Sequence, residues 1–143
     1  MAKIPIHFFS EEIVFNIKSK TVLRNWINQT VEEEKYHLQE LNFIFCTDDY
    51  LLKINKEYLS HDTYTDIITF DHSESEENIA GDIFVSINRV KENAKTFDVD
   101  FYDELHRVMI HGTLHLLGYL DKSKKDKALM TQKEDFYLSK RDF

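Results

Sequence analysis

The chain has 143 residues, of which 42% are hydrophobic and 31% charged, an ordinary composition for a globular protein with its own core. No apolar run approaches the roughly 18 residues that a membrane-spanning helix needs, and the start lacks a signal-peptide core. The net charge of −8 argues against broad, non-specific nucleic-acid binding, because phosphate contacts depend on lysine and arginine, although a local basic patch is compatible with it. We expect a cytoplasmic protein that makes no membrane contact.

The organisation of the chain predicts one domain over residues 1–143. There are only three glycines and one proline, and no repeat or linker-like stretch interrupts the sequence. The single cysteine, Cys46, cannot form an internal disulfide and lies in an apolar run. We expect it to be a small buried hydrophobic side chain.

The first third of the chain predicts strands and one helix. Ile4, Ile6 and Phe8 alternate as in a strand, and residues 13–17 repeat this alternation more weakly. From about Lys20 the apolar spacing becomes helical, with one face formed by Val22, Leu23, Trp26, Ile27 and Thr30/Val31. Residues 41–46 are short, aromatic and nearly all apolar, which predicts a strand covered on both faces.

The middle of the chain predicts a capped helix and a hairpin. Residues 47–49, Thr-Asp-Asp, supply an N-cap and negative charge for a helix that should end near Ser60. Two β-branched runs, residues 65–70 and 81–87, are separated by a polar, acidic stretch. We interpret that stretch as an exposed hairpin loop.

The last third predicts three helices. Asn88 is the candidate cap of the first, and the second begins near Asp100. Ser123 should cap the third, whose apolar face is predicted from Leu129, Gln132/Lys133, Phe136 and Tyr137. In total the sequence predicts an α+β fold with a mixed sheet of four or five strands and about five helices.

A metal site is predicted on one of these helices and its exit turn. His111 and His115 are four residues apart and therefore share one helix face. Gly118 can adopt a left-handed conformation and end the helix, which returns the chain with Asp121 as a third ligand. Two histidines and one carboxylate describe an open, three-ligand metal site. The alternative for a bare His pair is a structural role, with both rings bonded to backbone carbonyls.

The spacing His-x-x-x-His-x-x-Gly-x-x-Asp matches that of the metzincin zinc proteases, with one decisive difference. Those proteases carry their general base, a glutamate, directly after the first histidine. Here that position is Gly112, which has no proton acceptor. Peptide hydrolysis by that route is therefore disfavoured.

Two blocks of the sequence resemble the YbeY family of bacterial metal-dependent endoribonucleases, also called rRNA maturation factors. The first is His111-Gly-x-Leu-His115-Leu-x-Gly-Tyr. The second is Asn55-x-x-Tyr58-x-x-x-Asp62-x-x-Thr65-Asp66-Ile-Ile-Thr-Phe70, followed by Gly81-Asp-Ile. The specific resemblance covers about residues 41–121.

The resemblance implies a zinc-dependent, single-strand-specific endoribonuclease acting in 16S rRNA 3′-end maturation and ribosome quality control. Its partners would be ribosomal RNA and the ribosome or small-subunit proteins. The family's three metal ligands fall on His111, His115 and Asp121, and the two histidines would take part in catalysis through the metal. No side chain is assigned as general base. One Zn²⁺ ion is expected, with nickel, iron and manganese left open because two imidazoles and a carboxylate suit several metals.

Two positions depart from the family pattern. Asp121 stands where the family has a third histidine, which keeps a competent zinc ligand but lowers the charge of the site by one. We expect this change to tighten metal binding modestly and to weaken the Lewis acidity of the ion. Leu59 stands where the family typically has an arginine thought to assist catalysis. Either Arg89, Arg107 or Lys122 replaces that cation, or cleavage is weaker than in the family.

Several further residues are candidates for the cleft or for RNA contact. His61, Asp62 and Asp66 could line the cleft, with turn or cap roles as the alternative. The basic stretch just after the metal motif is the best local patch for RNA phosphates, and with the cation on the preceding helix the candidate contacts are Lys122, Lys124, Lys125 and Arg107. Asp82 and the remaining histidines, His7, His37, His72 and His106, are interpreted as structural or exposed.

Two other functions stay open at the sequence level. The chain could be a non-catalytic ribosome-assembly factor with a structural metal, which Leu59 and the charge of −8 favour. A metalloprotease is the less favoured alternative because of Gly112.

Overall fold

The computed structural model describes residues 3–59 and 65–143. Its strands are β1 (Ile6–Glu11), β2 (His37–Cys46), β3 (Ile67–Asp71) and β4 (Asn78–Ser86), and its helices are α1 (Lys20–Glu33), α2 (Asp48–Leu59), α3 (Ile87–Thr96), α4 (Phe101–Leu116) and α5 (Lys124–Leu138). The predicted α+β class with about five helices is confirmed. Within these ranges, no helix is long and apolar enough to cross a membrane.

The four strands form one mixed sheet in the order β1-β2-β4-β3. β1 and β4 both run parallel to β2, while β3 pairs antiparallel with β4 across the acidic loop. The predicted mixed sheet and the predicted hairpin are therefore confirmed. β2 is central, and both of its faces are buried near its end, as an apolar strand requires.

The sheet has a helix layer on each face because its side chains alternate between the two. One face carries Phe43, Phe45 and Ile83 into the main core, which α1, α3, α4 and α5 complete. The other face meets α2 through a smaller cluster that includes Cys46 and Leu51. Cys46 is fully buried and free, as predicted.

The weaker alternation at residues 13–17 does not form a strand, so that prediction was wrong. Glu12 and Ser19 have φ angles of 57° and 62°, which turn the chain away from the sheet on both sides of the segment. Ile17 is nevertheless buried, and Ile13 and Phe15 pack against the core. Side-chain burial alone accounts for the pattern, without a strand partner.

The helix caps follow the sequence with one exception. Thr47 Oγ1 accepts from the Tyr50 amide at 3.1 Å, as predicted for α2. α3 is capped by Ser86, which accepts from the Arg89 amide. Asn88 was the wrong candidate, because its side-chain oxygen accepts from the Asp48 amide at 2.8 Å and so serves α2 instead. The predicted cap of α5, Ser123, is confirmed. α4 begins near Asp100 as predicted, and the Asp100 carboxylate caps it by accepting from the Tyr102 amide at 3.0 Å.

The buried face of α5 differs from the predicted one. Met130, Glu134 and Tyr137 are buried, whereas Leu129 and Phe136 are 43% and 40% exposed. Tyr137 is therefore buried as predicted, but Leu129 and Phe136 were wrong, and the prediction missed the charged Glu134. The true face has the spacing i, i+4, i+7 but contains a charged residue at its centre.

Candidate metal centre

The turn after α4 brings the metal motif together. Gly118 has a φ of +100°, its amide donates to the His115 carbonyl at 3.0 Å, and the Tyr119 amide donates to the Leu114 carbonyl at 3.1 Å. These are the two bonds of a Schellman motif, which ends a helix and reverses the chain. The predicted helix stop at Gly118 is confirmed, and Asp121 returns to the helix face that carries the two histidines.

Three ligand atoms converge at this turn. Asp121 Oδ2 lies 3.2 Å from Nε2 of His111 and 3.2 Å from Nε2 of His115, and the three groups offer ligand atoms within 4.8 Å of one another. Ligands about 2.0–2.2 Å from a tetrahedral zinc ion would lie about 3.3–3.6 Å apart. The donor set and its spacing therefore fit one such ion.

The other nitrogen of His111 is held by a buried carboxylate. His111 Nδ1 lies 2.6 Å from Oε2 of Glu134, which accepts the ring N–H. In the neutral ring Nε2 then has a free lone pair facing the Asp121 carboxylate. Burial lowers the pKa of His111, but the hydrogen bond and charge of Glu134, together with Asp121, raise this pKa overall. A proton or a metal ion is thus favoured between Nε2 and Asp121.

A second carboxylate anchors the exit turn to the rest of the protein. Glu34, at the end of α1, accepts a hydrogen bond of 2.6 Å from the Tyr119 hydroxyl, another from the Tyr137 hydroxyl and one of 3.3 Å from Lys133 Nζ. Burial raises the pKa of Glu34, but these hydrogen bonds lower it overall. The turn that carries Asp121 is therefore tied to α1 and α5.

The three groups line a cavity of about 430 Å³. Its wall consists of residues from α2, from β3 and the two residues before it, from α4 and from the exit turn: Asn55, Leu59, Thr65, Asp66, Ile67, Ile68, Thr69, His111, His115, Asp121 and Lys122. Asp66 therefore lines the cleft, as expected, and burial raises the pKa of its carboxyl group. His61 and Asp62 lie outside the described residues.

Gly112 brings α4 close to the sheet beneath the cavity. A Cβ atom at this position would lie 2.6 Å from Ile67 Cδ1 and 2.9 Å from Ile83 Cγ2. The helix can approach β3 and β4 this closely only because residue 112 has no side chain. The same close approach leaves no space for the glutamate that a metzincin carries there.

Asp82 has structural contacts, as interpreted from the sequence, and so does its neighbour Gly81. A Cβ on Gly81 would lie 2.7 Å from the Phe70 carbonyl oxygen, which indicates close packing. The Asp82 carboxylate accepts from Asn42 Nδ2 at 3.0 Å and lies 3.0 Å from His72 Nε2. None of these residues lines the cavity of the metal motif.

The candidate cations lie in different places. Lys122 lines the cavity, and Lys124 and Lys125 are exposed at the start of α5. Arg107 contacts Glu134 at 2.8 Å and Asp135 at 2.6 Å and lines a separate cavity. Arg89 bonds to Asp48 at 3.2 Å. RNA contact by these residues stays a prediction, but Lys122 is the cation placed beside the three ligand atoms.

Sequence reasoning missed Glu134 and Glu34. A signal for Glu134 existed, because it lies between Met130 and Tyr137 at helical spacing and would be buried with them. Glu34 belongs to a charged stretch at the end of α1 and gave no such signal.

Comparison with known proteins decides the family. The model of the family described as endoribonuclease YbeY matches residues 6–142. The chain belongs to the YbeY family. This YbeY-family chain is 50% identical over 143 residues to the endoribonuclease YbeY of Cytophaga hutchinsonii, with 100% of both chains covered. It is 53% identical over 127 residues to that of Flavobacterium psychrophilum, covering 89% of this chain and 90% of the relative.

The fold has a counterpart among solved structures. A Thermotoga maritima protein, determined in solution, aligns with this YbeY-family chain at a TM-score of 0.63 and 29% identity. The alignment covers 94% of this chain and 87% of that one.

Proposed function

We propose that residues 1–143 form one metal-dependent hydrolase domain, a zinc-dependent endoribonuclease specific for single-stranded RNA. The main support is the convergence of His111, His115 and Asp121 on one point of a cavity wall, with 3.2 Å between the carboxylate and each imidazole. The relatives at 50% and 53% identity are themselves named endoribonuclease.

Each residue of the site has a defined task in this proposal. His111, His115 and Asp121 bind the ion, which when bound supplies Lewis acidity for phosphodiester hydrolysis. The two histidines thus contribute to catalysis through the metal. Lys122, on the rim of the same cavity, attracts the RNA backbone, and Lys124 and Lys125 extend this positive surface.

The biological role that we propose is the one the family resemblance implies. The protein would act in the cytoplasm in 16S rRNA 3′-end maturation and ribosome quality control. Its partners would be ribosomal RNA and the ribosome or proteins of the small subunit.

Cleavage of single-stranded RNA by zinc-loaded protein tests the enzymatic proposal. We expect the unmodified chain to cleave a single-stranded oligoribonucleotide and to spare the same sequence in a duplex. His115→Ala, purified in parallel, should lose this activity. Equal residual cleavage by both proteins would contradict the proposal and identify a contaminating nuclease.

A second candidate function is a ribosome-assembly factor with a structural metal. It is favoured by Leu59, which lines the cavity and is 41% exposed at the position where the family resemblance places an arginine. A leucine cannot hold a phosphate group. Leu59→Arg separates the two functions: a gain in cleavage over the unmodified chain supports a weakened enzyme, while zinc binding without cleavage in both supports the assembly factor.

A further inference from the structure

Glu134 is a charged residue buried behind the metal motif. Only 6% of it is exposed, although the next two residues of α5, Asp135 and Phe136, are exposed. Burial of a carboxylate is costly unless each oxygen has a partner. Here Oε1 accepts from Arg107 Nη1 at 2.8 Å and Oε2 accepts from His111 Nδ1 at 2.6 Å.

The two contacts of Glu134 have different consequences. The Arg107 contact balances the charge and orients the carboxylate, and it is shared with the exposed Asp135, which lies 2.6 Å from Nη2. The His111 contact determines which ring nitrogen carries hydrogen. With Nδ1–H donated to Glu134, Nε2 is the nitrogen available to a ligand, and it is Nε2 that faces Asp121 at 3.2 Å.

A purely structural role would not require this arrangement. A buried glutamate that only pairs with Arg107 could point both oxygens at the guanidinium, since such pairs are commonly bidentate. Instead Arg107 is divided between two neighbouring carboxylates, and one oxygen of Glu134 is left for the imidazole. Carboxylates placed behind a ligating histidine fix its tautomer and raise its basicity.

We propose that Glu134 is a positioning residue for the metal centre: held by Arg107, it keeps His111 in the Nδ1–H tautomer and aims Nε2 at the ion. This inference rests on the proposed function in that it takes His111 as a metal ligand. It connects α5, which carries none of the three proposed ligands, to the affinity of the site.

The test compares two neighbouring substitutions that remove the same charge. Glu134→Gln keeps the shape of the side chain but replaces the carboxylate on His111, whereas Asp135→Asn alters the other partner of Arg107 and leaves His111 untouched. Zinc affinity is measured by competition with a chromogenic chelator. We expect Glu134→Gln to weaken zinc binding about 10–100-fold and Asp135→Asn to change it less than about twofold.

A second measurement determines the tautomer of His111 in the unmodified chain, so it needs no substituted protein. Nitrogen chemical shifts of the histidine rings in the unmodified, metal-free chain report the tautomer directly, in alkaline buffer where imidazole is neutral. We expect Nδ1 of His111 to be protonated and Nε2 to be free. The opposite tautomer would overturn the inference.

The outcomes separate this inference from the proposed function. If the unmodified chain binds no zinc, both are overturned. If it binds zinc and Glu134→Gln, folded by circular dichroism, binds it equally well, the inference alone is overturned. If zinc binding weakens equally in Asp135→Asn, the effect belongs to general charge and the positioning role is likewise rejected.

Discussion

Two histidines on α4, five residues apart, have opposite electrostatic surroundings. His106 is 6% exposed, packs between the rings of Trp26 and Phe143, and its Nδ1 lies 2.8 Å from the Arg141 guanidinium. Burial and the Arg141 charge lower the pKa of His106 to about 4. Burial also lowers the pKa of His111, but the hydrogen bond and charge of Glu134, with the charges of Asp121 and Asp66, raise this pKa overall.

The difference shows that neighbouring charge decides the role of a histidine. His106 stays neutral at pH 7, accepts a hydrogen bond from a cation and closes the core next to the end of the chain. His111 lies between two carboxylates, which attract a cation to its ring. Its helix position alone distinguishes neither role, because both residues belong to the same amphipathic helix.

The largest effect is expected when a candidate metal ligand near the end of α4 is removed. His115→Ala removes one of three ligands, so we expect loss of stoichiometric zinc and a decrease in RNA cleavage of about 1,000-fold. His111→Ala and Asp121→Ala should also lose zinc. Elemental analysis and cleavage rates measure these effects, with His106→Gln as the control that retains zinc. Full zinc content in Asp121→Ala would remove that residue from the ligand set.

The next effect concerns His106, which makes the stability of the fold depend on pH. Because the pKa of His106 falls from 6.5 to about 4 on folding, the unfolded chain binds more protons between these values. The stabilisation from burying neutral His106 is therefore complete above pH 6.5. It is lost as the pH falls toward 4, and the free energy of unfolding decreases by about 3 kcal/mol. Denaturant unfolding of the unmodified chain and His106→Phe at several pH values measures this difference. Parallel pH curves for the two proteins would contradict it.

A smaller effect on stability is expected at Gly112, which lies between His106 and His115 on α4. Gly112→Ala places a Cβ 2.6 Å from Ile67 Cδ1, which forces α4 away from the sheet. Overpacking should cost about 1–3 kcal/mol, partly offset by the better helix propensity of alanine. The unfolding free energy measures this change. Zinc stoichiometry should persist, and an increase in stability would show that Ile67 repacks freely.

The smallest effect is expected for RNA binding at Lys122, on the rim of the cavity. Lys122→Ala removes one cation from the edge of the site, so we expect weaker RNA binding with zinc content unchanged. The slope of log affinity against log salt should become shallower by about one unit or less. Lys127→Ala, a substitution of an exposed lysine further along α5, is the matched control. An equal change in both variants would indicate only general charge.

Local patterns predicted much of the fold and the proximity of the three candidate ligands. The caps Thr47 and Ser123, the start of α4 near Asp100 and the stop at Gly118 follow from chemistry within a few residues. Predictions failed where a distant partner decided the outcome. Asn88 lies where a cap could form, but it serves the amide of Asp48, 40 positions away. Residues 13–17 alternate like a strand but pair with no strand among residues 3–59 and 65–143.

The sequence by itself determined that His111 and His115 share a helix face and that Gly118 turns Asp121 back toward them, because helical period and backbone freedom are local properties. Only the tertiary structure decided what stands behind these ligands. Glu134 reaches His111 across 23 positions, and Glu34 reaches Tyr119 across 85. Such contacts depend on how α1 and α5 pack against α4, which no local pattern specifies.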